Sequence, residues 1–184
     1  MGLLDKLESF LGGKKKDFNI LVIGLDNSGK STVVNNLKPN DDRAININPT
    51  VGFNSEKVNF RNLNLSLFDM SGQSRYRNLW EHYYREADAI VFVIDSSDRM
   101  RFVVSNEELN DVLNHREIKD KKIPLLILAN KKDAKGALNE SGLRNELEIN
   151  GIRGKQYEIF ATDGLSGQGV NDAFEWLANE LKKE

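Results

Sequence analysis

The sequence predicts an α/β domain: a mostly parallel six-stranded sheet with one antiparallel edge hairpin and helices on both faces. Three features lead to that architecture. Short continuous apolar runs recur along the chain, amphipathic stretches separate them, and one segment alternates apolar with polar residues. A continuous apolar run suits a parallel strand buried on both faces. Strict alternation suits a strand with one face toward solvent.

Taken in order, the first element is an N-terminal amphipathic helix with a basic segment, over 1–16, ahead of a single domain over 17–184. Leu3, Leu4, Leu7, Phe10 and Leu11 share one helical face, and Lys14, Lys15 and Lys16 follow. An apolar stripe beside a basic cluster makes a weak membrane-surface anchor. A helix held permanently on the domain is the alternative. Phe18 to Gly24 is the first buried strand, and Ser31 to Leu37 the helix after it. Phe53 to Phe60 and Leu63 to Phe68 form the hairpin, joined by Arg61-Asn62, with Leu63, Leu65 and Leu67 on the covered face. A helix is predicted over Arg75 to Glu86. Ala89 to Asp95 and Ile123 to Asn130 repeat the buried-strand character, and Gln156 to Thr162 is a weaker strand. The remaining helices are Arg101 to His115, Leu143 to Leu147, and Val170 to Lys182. In the last of these, Val170, Phe174, Leu177 and Leu181 share one face.

Composition narrows the function classes. With 26 basic against 28 acidic residues and a net charge of -2, the chain lacks the basic excess that nucleic acid demands. It has no cysteine, which excludes thiol catalysis and disulfides. His82 and His115 have no ligand-like spacing. No apolar run reaches transmembrane length and no secretory signal is recognisable, so the protein is expected inside the cell, in the cytoplasm.

Gly24-Leu25-Asp26-Asn27-Ser28-Gly29-Lys30-Ser31 fits the phosphate-loop pattern, between a predicted strand and a predicted helix as the pattern requires. Backbone N–H groups of such a loop, including those of Asp26, Asn27, Ser28, Gly29 and Thr32, point inward at a helix N-terminus and cradle phosphates. Lys30 is expected to reach the β- and γ-phosphates, and the Ser31 hydroxyl to ligate magnesium. A glycine-containing turn capping a helix is the plainer explanation, and the strand–loop–helix context disfavours it.

A phosphate loop does not choose a base. Asn130-Lys131-Lys132-Asp133 at the end of a buried strand matches N-K-x-D. The Asp133 carboxylate can accept from the ring N–H and the exocyclic amine of guanine. Adenine would leave a buried carboxylate unpaired, so it is rejected. The Lys131 stem can lie over the base, Asn130 can tie this loop to the phosphate loop, and a backbone N–H at Ala161 or Thr162 can meet the guanine carbonyl. Thr50, in Asn48-Pro49-Thr50-Val51-Gly52, is expected to complete the magnesium shell only while a γ-phosphate is present. In Asp69-Met70-Ser71-Gly72-Gln73, Asp69 would hold magnesium through water and the Gly72 N–H would sense the γ-phosphate. Gln73 would orient the attacking water as the catalytic residue. Loss of the γ-phosphate then releases both loops. The interval from Ser31 to Thr50 is too short for an inserted helical domain bringing an arginine in cis. Hydrolysis is therefore expected to be slow without an activating protein. A binding module with negligible hydrolysis is the runner-up. A P-loop kinase is disfavoured because it leaves NKKD unexplained.

With GLDNSGKS, NPTVGF, FDMSGQ, WEHYY, VIDSSDR and NKKD assembled, the chain resembles the ADP-ribosylation factor family over nearly its whole length. The likeness is greatest to the branch that serves cilia. Ser71-Gly72 replaces the usual Gly-Gly, and Phe68 a usual tryptophan. The resemblance implies a P-loop small-GTPase fold and a switch using GTP, GDP and Mg2+. It also implies a hairpin that slides along the sheet and expels the N-terminal helix onto membrane when GTP binds. The family's effector surface maps to Phe53, Phe68 and Tyr83. The implied partners are the BBSome coat complex, an exchange factor and an activating protein. The implied location is a membrane periphery of the cilium or basal body. Gly2 would permit myristoylation, although Lys6 stands where that motif prefers Ser or Thr.

Overall fold

The computed structural model describes residues 15–147, 149 and 152–183. The predicted anchor residues Leu3, Leu4, Leu7, Phe10 and Leu11 lie outside the described residues. Six strands, β1 (Lys16–Ile23), β2 (Phe53–Phe60), β3 (Leu63–Met70), β4 (Ala89–Asp95), β5 (Leu125–Asn130) and β6 (Tyr157–Ala161), form one sheet in the order β2-β3-β1-β4-β5-β6. Among the described residues only β2 and β3 pair antiparallel, and every other neighbouring pair is parallel. The helices are α1 (Lys30–Leu37), α2 (Glu81–Tyr84), α3 (Phe102–Asn114), α4 (Glu140–Glu146) and α5 (Val170–Leu181).

The continuous apolar strands are buried on both faces because successive side chains point to opposite sides of the sheet. Ile20 and Val22 of β1 pack with Val91 and Val93 of β4 under α1 and α5, where Val33, Phe174 and Leu177 close the layer. Leu21 and Ile23 face the other way with Ile90, Phe92 and Ile94, against Leu109 and Val112 of α3. β1 starts at Lys16, within the segment assigned from sequence to the basic tail. β5 starts at Leu125, two residues later than predicted. Pro124 has no N–H for the ladder and contributes only its carbonyl, which accepts from Ile90 N at 3.1 Å.

The hairpin has the predicted bounds for β2 and the predicted two-residue turn. Arg61 (φ 48°) and Asn62 (φ 67°) both occupy the left-handed region, with Phe60 opposite Leu63. That is the type I′ geometry whose twist matches the strands. Asparagine tolerates it, and arginine bears a steric cost there. Arg61→Asn is therefore expected to raise unfolding free energy by about 0.5 kcal/mol in urea melts. No gain would mean that the Arg61–Glu175 ion pair (3.1 Å) offsets the backbone strain.

The helix predicted over Arg75 to Glu86 is a correction. Residues Ser74–Leu79 form tight 3-10 turns, and only Glu81–Tyr84 is α-helical. Bonds of Tyr76 N to Gln73 O (2.8 Å) and Trp80 N to Arg77 O (2.9 Å) show the shorter repeat. The Trp80 side chain, 1% exposed, donates from Nε1 to Ser71 O at 3.0 Å. Anchoring that indole shortens the segment more strongly than helix propensity can extend it. α4 also begins earlier than predicted, since the Asn139 side chain accepts from Gly142 N at 2.9 Å and caps it.

Candidate nucleotide-binding site

The phosphate loop runs from the end of β1 into α1, so its amides gather at a helix N-terminus. Gly29 has φ 93°, and a Cβ there would stand 2.2 Å from Nδ2 of Asn130. Only glycine fits. Lys30 is buried and folds back to donate from Nζ to Leu25 O at 2.8 Å. Burial pushes its ammonium down to about 8, against the upward pull of Asp69 and Asp26.

Three residues from separate segments converge beside it. Ser31 Oγ lies 2.8 Å from Thr50 Oγ1 and donates to Asp69 Oδ2 at 2.5 Å, while Thr50 Oγ1 donates to the same oxygen at 3.3 Å. Burial pushes the Asp69 carboxyl up, opposed by the Ser31 hydrogen bond and the Lys30 charge. Its other oxygen, Oδ1, is buried without a partner among the described residues. Two hydroxyls and a carboxylate are hard oxygen donors, the set that suits magnesium. The orphaned Oδ1 has capacity for a further bond, as a water-mediated metal contact requires. Among the described residues no group of three or more His, Cys, Asp or Glu gathers around a metal position.

A cavity of about 280 Å³ opens over this cluster, lined by Asp26, Asn27, Gly29, Lys30, Ser31, Thr32 and Thr50 together with Gly72 and Gln73. Gly72 sits directly on the phosphate loop, since a Cβ there would be 2.3 Å from Asp26 N and 2.4 Å from Gly24 O. Gln73 Oε1 accepts from Arg75 Nε at 3.1 Å. The phosphate loop and both loops expected to sense the γ-phosphate therefore share one cavity.

The residues predicted for the base are organised around Asn130. This side chain, 2% exposed, donates from Nδ2 to Ser28 O at 2.8 Å. Its Oδ1 accepts from Thr162 Oγ1 at 3.0 Å and Gly164 N at 2.9 Å. It thus joins the phosphate loop to the β6–α5 loop, as expected for the first half of that role and beyond it for the second. Lys131 has φ 62°, and its Nζ pairs with Asp95 Oδ2 at 2.7 Å. Although burial acts upward on Asp95, hydrogen bonds from Lys131 and Ser97 hold its carboxyl below the ordinary value.

Without a base over it, Asp133 is exposed in the loop after β5. One expectation needs correction. The backbone donors predicted at Ala161 and Thr162 are engaged: Thr162 N bonds to Ala129 O at 2.9 Å and Ala161 N to Glu140 Oε1 at 3.0 Å. The first continues the β5–β6 ladder and the second is a side-chain contact from the start of α4. Thr162 contributes its buried hydroxyl instead.

Sequence reasoning passed over Asp95 and Ser96. They sit at the carboxyl end of β4, where ligands of open α/β sheets bind, so position alone could have marked them. Ser96 Oγ donates to Asn130 O at 2.7 Å. Arg101 was also missed; its Nη1 donates to Asp26 O at 3.1 Å. The predicted effector aromatics do assemble. Tyr83 lies 5.2 Å from Phe53 and 5.1 Å from Phe68 by ring centroids, and Phe53 is 44% exposed.

The profile of the ADP-ribosylation factor family matches residues 4–181. The chain belongs to that family. Zebrafish (Danio rerio) ADP-ribosylation factor-like protein 6 is 50% identical over 182 residues, covering 99% of this chain and 98% of the relative. The Caenorhabditis elegans protein of the same name is 41% identical over 183 residues, with 100% and 96% covered. Among solved structures, the Arl6 BBS3 small GTPase of Trypanosoma brucei, bound to the nucleotide analogue GppNp, superposes with a TM-score of 0.85. It is 36% identical and covers 91% of this chain and 99% of its own. The fold is that of a small GTPase, with the single antiparallel pair at one edge. This ADP-ribosylation factor family member binds guanine nucleotide and hydrolyses GTP to GDP and phosphate. The sequence resemblance to the family, and within it to Arf-like protein 6, is borne out.

Proposed function

We propose that this GTPase is a magnesium-dependent switch which, in its GTP state, recruits a coat complex, the BBSome, to membranes for ciliary protein trafficking. The carrying observation is the convergence of Ser31, Thr50 and Asp69 beside Lys30, beneath a cavity that Ser31, Thr50, Gly72 and Gln73 line. Ser31 and Thr50 would ligate Mg2+ directly and Asp69 through water. Bound magnesium supplies neutralisation of charge on the β- and γ-phosphate oxygens. Lys30 and the phosphate-loop amides hold the phosphates, the Asp133 carboxylate accepts from guanine, and Lys131 lies along the base. The Gly72 N–H meets the γ-phosphate, and Gln73 orients the attacking water. The pairing of Gln73 with Arg75 supports slow unaided turnover, because the carboxamide must leave that partner before it can hold water. An activating protein then supplies the missing organisation, and an exchange factor the release of GDP.

Thr50 lies just ahead of Phe53, so ordering the loop around a γ-phosphate presents the Phe53–Phe68–Tyr83 cluster to an effector. Among the described residues no helix is long and apolar enough to cross a membrane. Membrane attachment is assigned to the 1–16 segment, with the protein cytoplasmic and peripheral to membrane at the cilium or basal body. The names of the zebrafish, nematode and trypanosome relatives support the ciliary assignment.

The test is capture of purified BBSome by two full-length variants. Gln73→Leu, locked with GTP, is expected to retain it. Ser31→Asn, impaired in magnesium-coupled GTP binding, is expected to lose it. Equal capture by both would refute the switch. No capture by GTP-locked protein, with nucleotide binding intact, would refute the partner alone.

A further inference from the structure

Arg77 stands outside every motif in the sequence, yet it joins three segments at the nucleotide end of the molecule. Its Nε donates to Gly72 O at 2.8 Å and its Nη1 to Glu108 Oε1 on α3 at 2.6 Å. Its Nη2 lies 3.8 Å from Asp26 Oδ1 in the phosphate loop, and the side chain is only 16% exposed. The Gly72 carbonyl belongs to the same planar peptide as the Gln73 N–H, so a bond to that oxygen orients the whole unit. Gly72 is meanwhile pressed against the backbone of Asp26 on its other side. The peptide is held between the phosphate loop and Arg77. A rigid guanidinium fork can serve a carbonyl and two carboxylates together, whereas an ammonium on a flexible stem lacks that geometry.

We propose that Arg77 is a positioning residue for GTP hydrolysis. It holds the Gly72–Gln73 peptide against the phosphate loop and ties that peptide to α3 through Glu108. The assignment rests on the roles given above to Gly72 and Gln73. Arg77 acts through the peptide and not on a phosphate. GDP lacks the group that Gly72 meets, so loss of Arg77 penalises the GTP state and the chemical step while sparing GDP binding.

The experiment measures single-turnover GTP hydrolysis, and affinities for GDP and for a non-hydrolysable GTP analogue, on the full-length magnesium-loaded protein. Arg77→Ala is expected to slow hydrolysis roughly tenfold or more, since small misplacements of reacting groups carry large rate penalties. Analogue binding should weaken several-fold while GDP affinity stays unchanged. Arg77→Lys should restore little of the rate. Glu108→Gln should shift it in the same direction by a smaller factor, and add nothing on top of Arg77→Ala. Normal hydrolysis by Arg77→Ala would overturn the proposal. So would parallel loss of GDP and analogue affinity, which marks a merely structural role. Gln73→Leu, assayed alongside, separates the underlying assignment: if it hydrolyses GTP normally, Gln73 is not the catalytic residue. If it is inactive while Arg77→Ala is normal, only the Arg77 proposal fails.

Discussion

Asn130→Ala is expected to destabilise the protein by about 3–5 kcal/mol, because it strands several buried hydrogen-bonding groups at once. The Asn130 side chain donates to Ser28 O and accepts from Thr162 Oγ1 and Gly164 N, all within 3.0 Å. Alanine removes every one of these bonds and replaces none. The net worth of a satisfied hydrogen bond is modest, but a buried group left without a partner bears its full desolvation cost. The same change frees the phosphate loop from the β6–α5 loop, so nucleotide affinity should fall together with stability. Urea unfolding and GDP titration on the same samples check this. A loss below about 1 kcal/mol would mean that water or backbone relaxation satisfies the orphaned groups.

Asp133→Asn should act in the opposite pattern, with a large effect on ligand and almost none on fold. Asp133 is exposed, so the change in unfolding free energy should stay within about 0.5 kcal/mol. On the proposed guanine contact, the carboxylate accepts from two donors, and an amide can accept only on its oxygen. GDP affinity should therefore drop on the order of a hundredfold or more. Xanthine presents a carbonyl where guanine has its amine, and the new amide can donate to it. Competition between guanosine and xanthosine diphosphates should show the preference reversed. Unchanged selectivity for guanine would remove Asp133 from base recognition.

Much of the fold was legible because its information is local. Apolar runs such as Ala89 to Asp95 are buried on both faces, which needs nothing but a parallel sheet beneath two helical layers. The hairpin was legible from alternation and from a two-residue connection suited to a type I′ turn. The segment after Gln73 was not. Its residues have helical spacing, yet the Trp80 indole reaches Ser71 O and tightens the chain into 3-10 turns. The cap of α4 was legible in principle at Asn139 and was overlooked.

In the site, the phosphate loop, Thr50, Asp69, Gly72 and Gln73 were marked out by pattern, and the cavity shared by the phosphate loop, Thr50, Gly72 and Gln73 follows from the strand order. Thr162 illustrates the limit. Residue type and position suggested a free backbone donor, but its N–H continues the ladder to Ala129 and only its hydroxyl serves the loop network. Arg77 and Arg101 carried no signal, since nothing in their neighbourhood along the chain marks the partners they reach.

By itself, then, the sequence determined the order of strands and helices, the phosphate loop and the family to which the chain belongs. Those properties reside in short motifs and in the period of apolar residues, which any window of the chain displays. Tertiary structure alone decided that Asn130 also reaches the β6–α5 loop, that Asp133 faces solvent, and that Arg77 grips the Gly72 carbonyl. The physical reason is that such bonds link backbone groups and side chains brought together only when β1, β4 and β5 align. Their geometry depends on distances across the sheet, and no pattern along the chain records those distances.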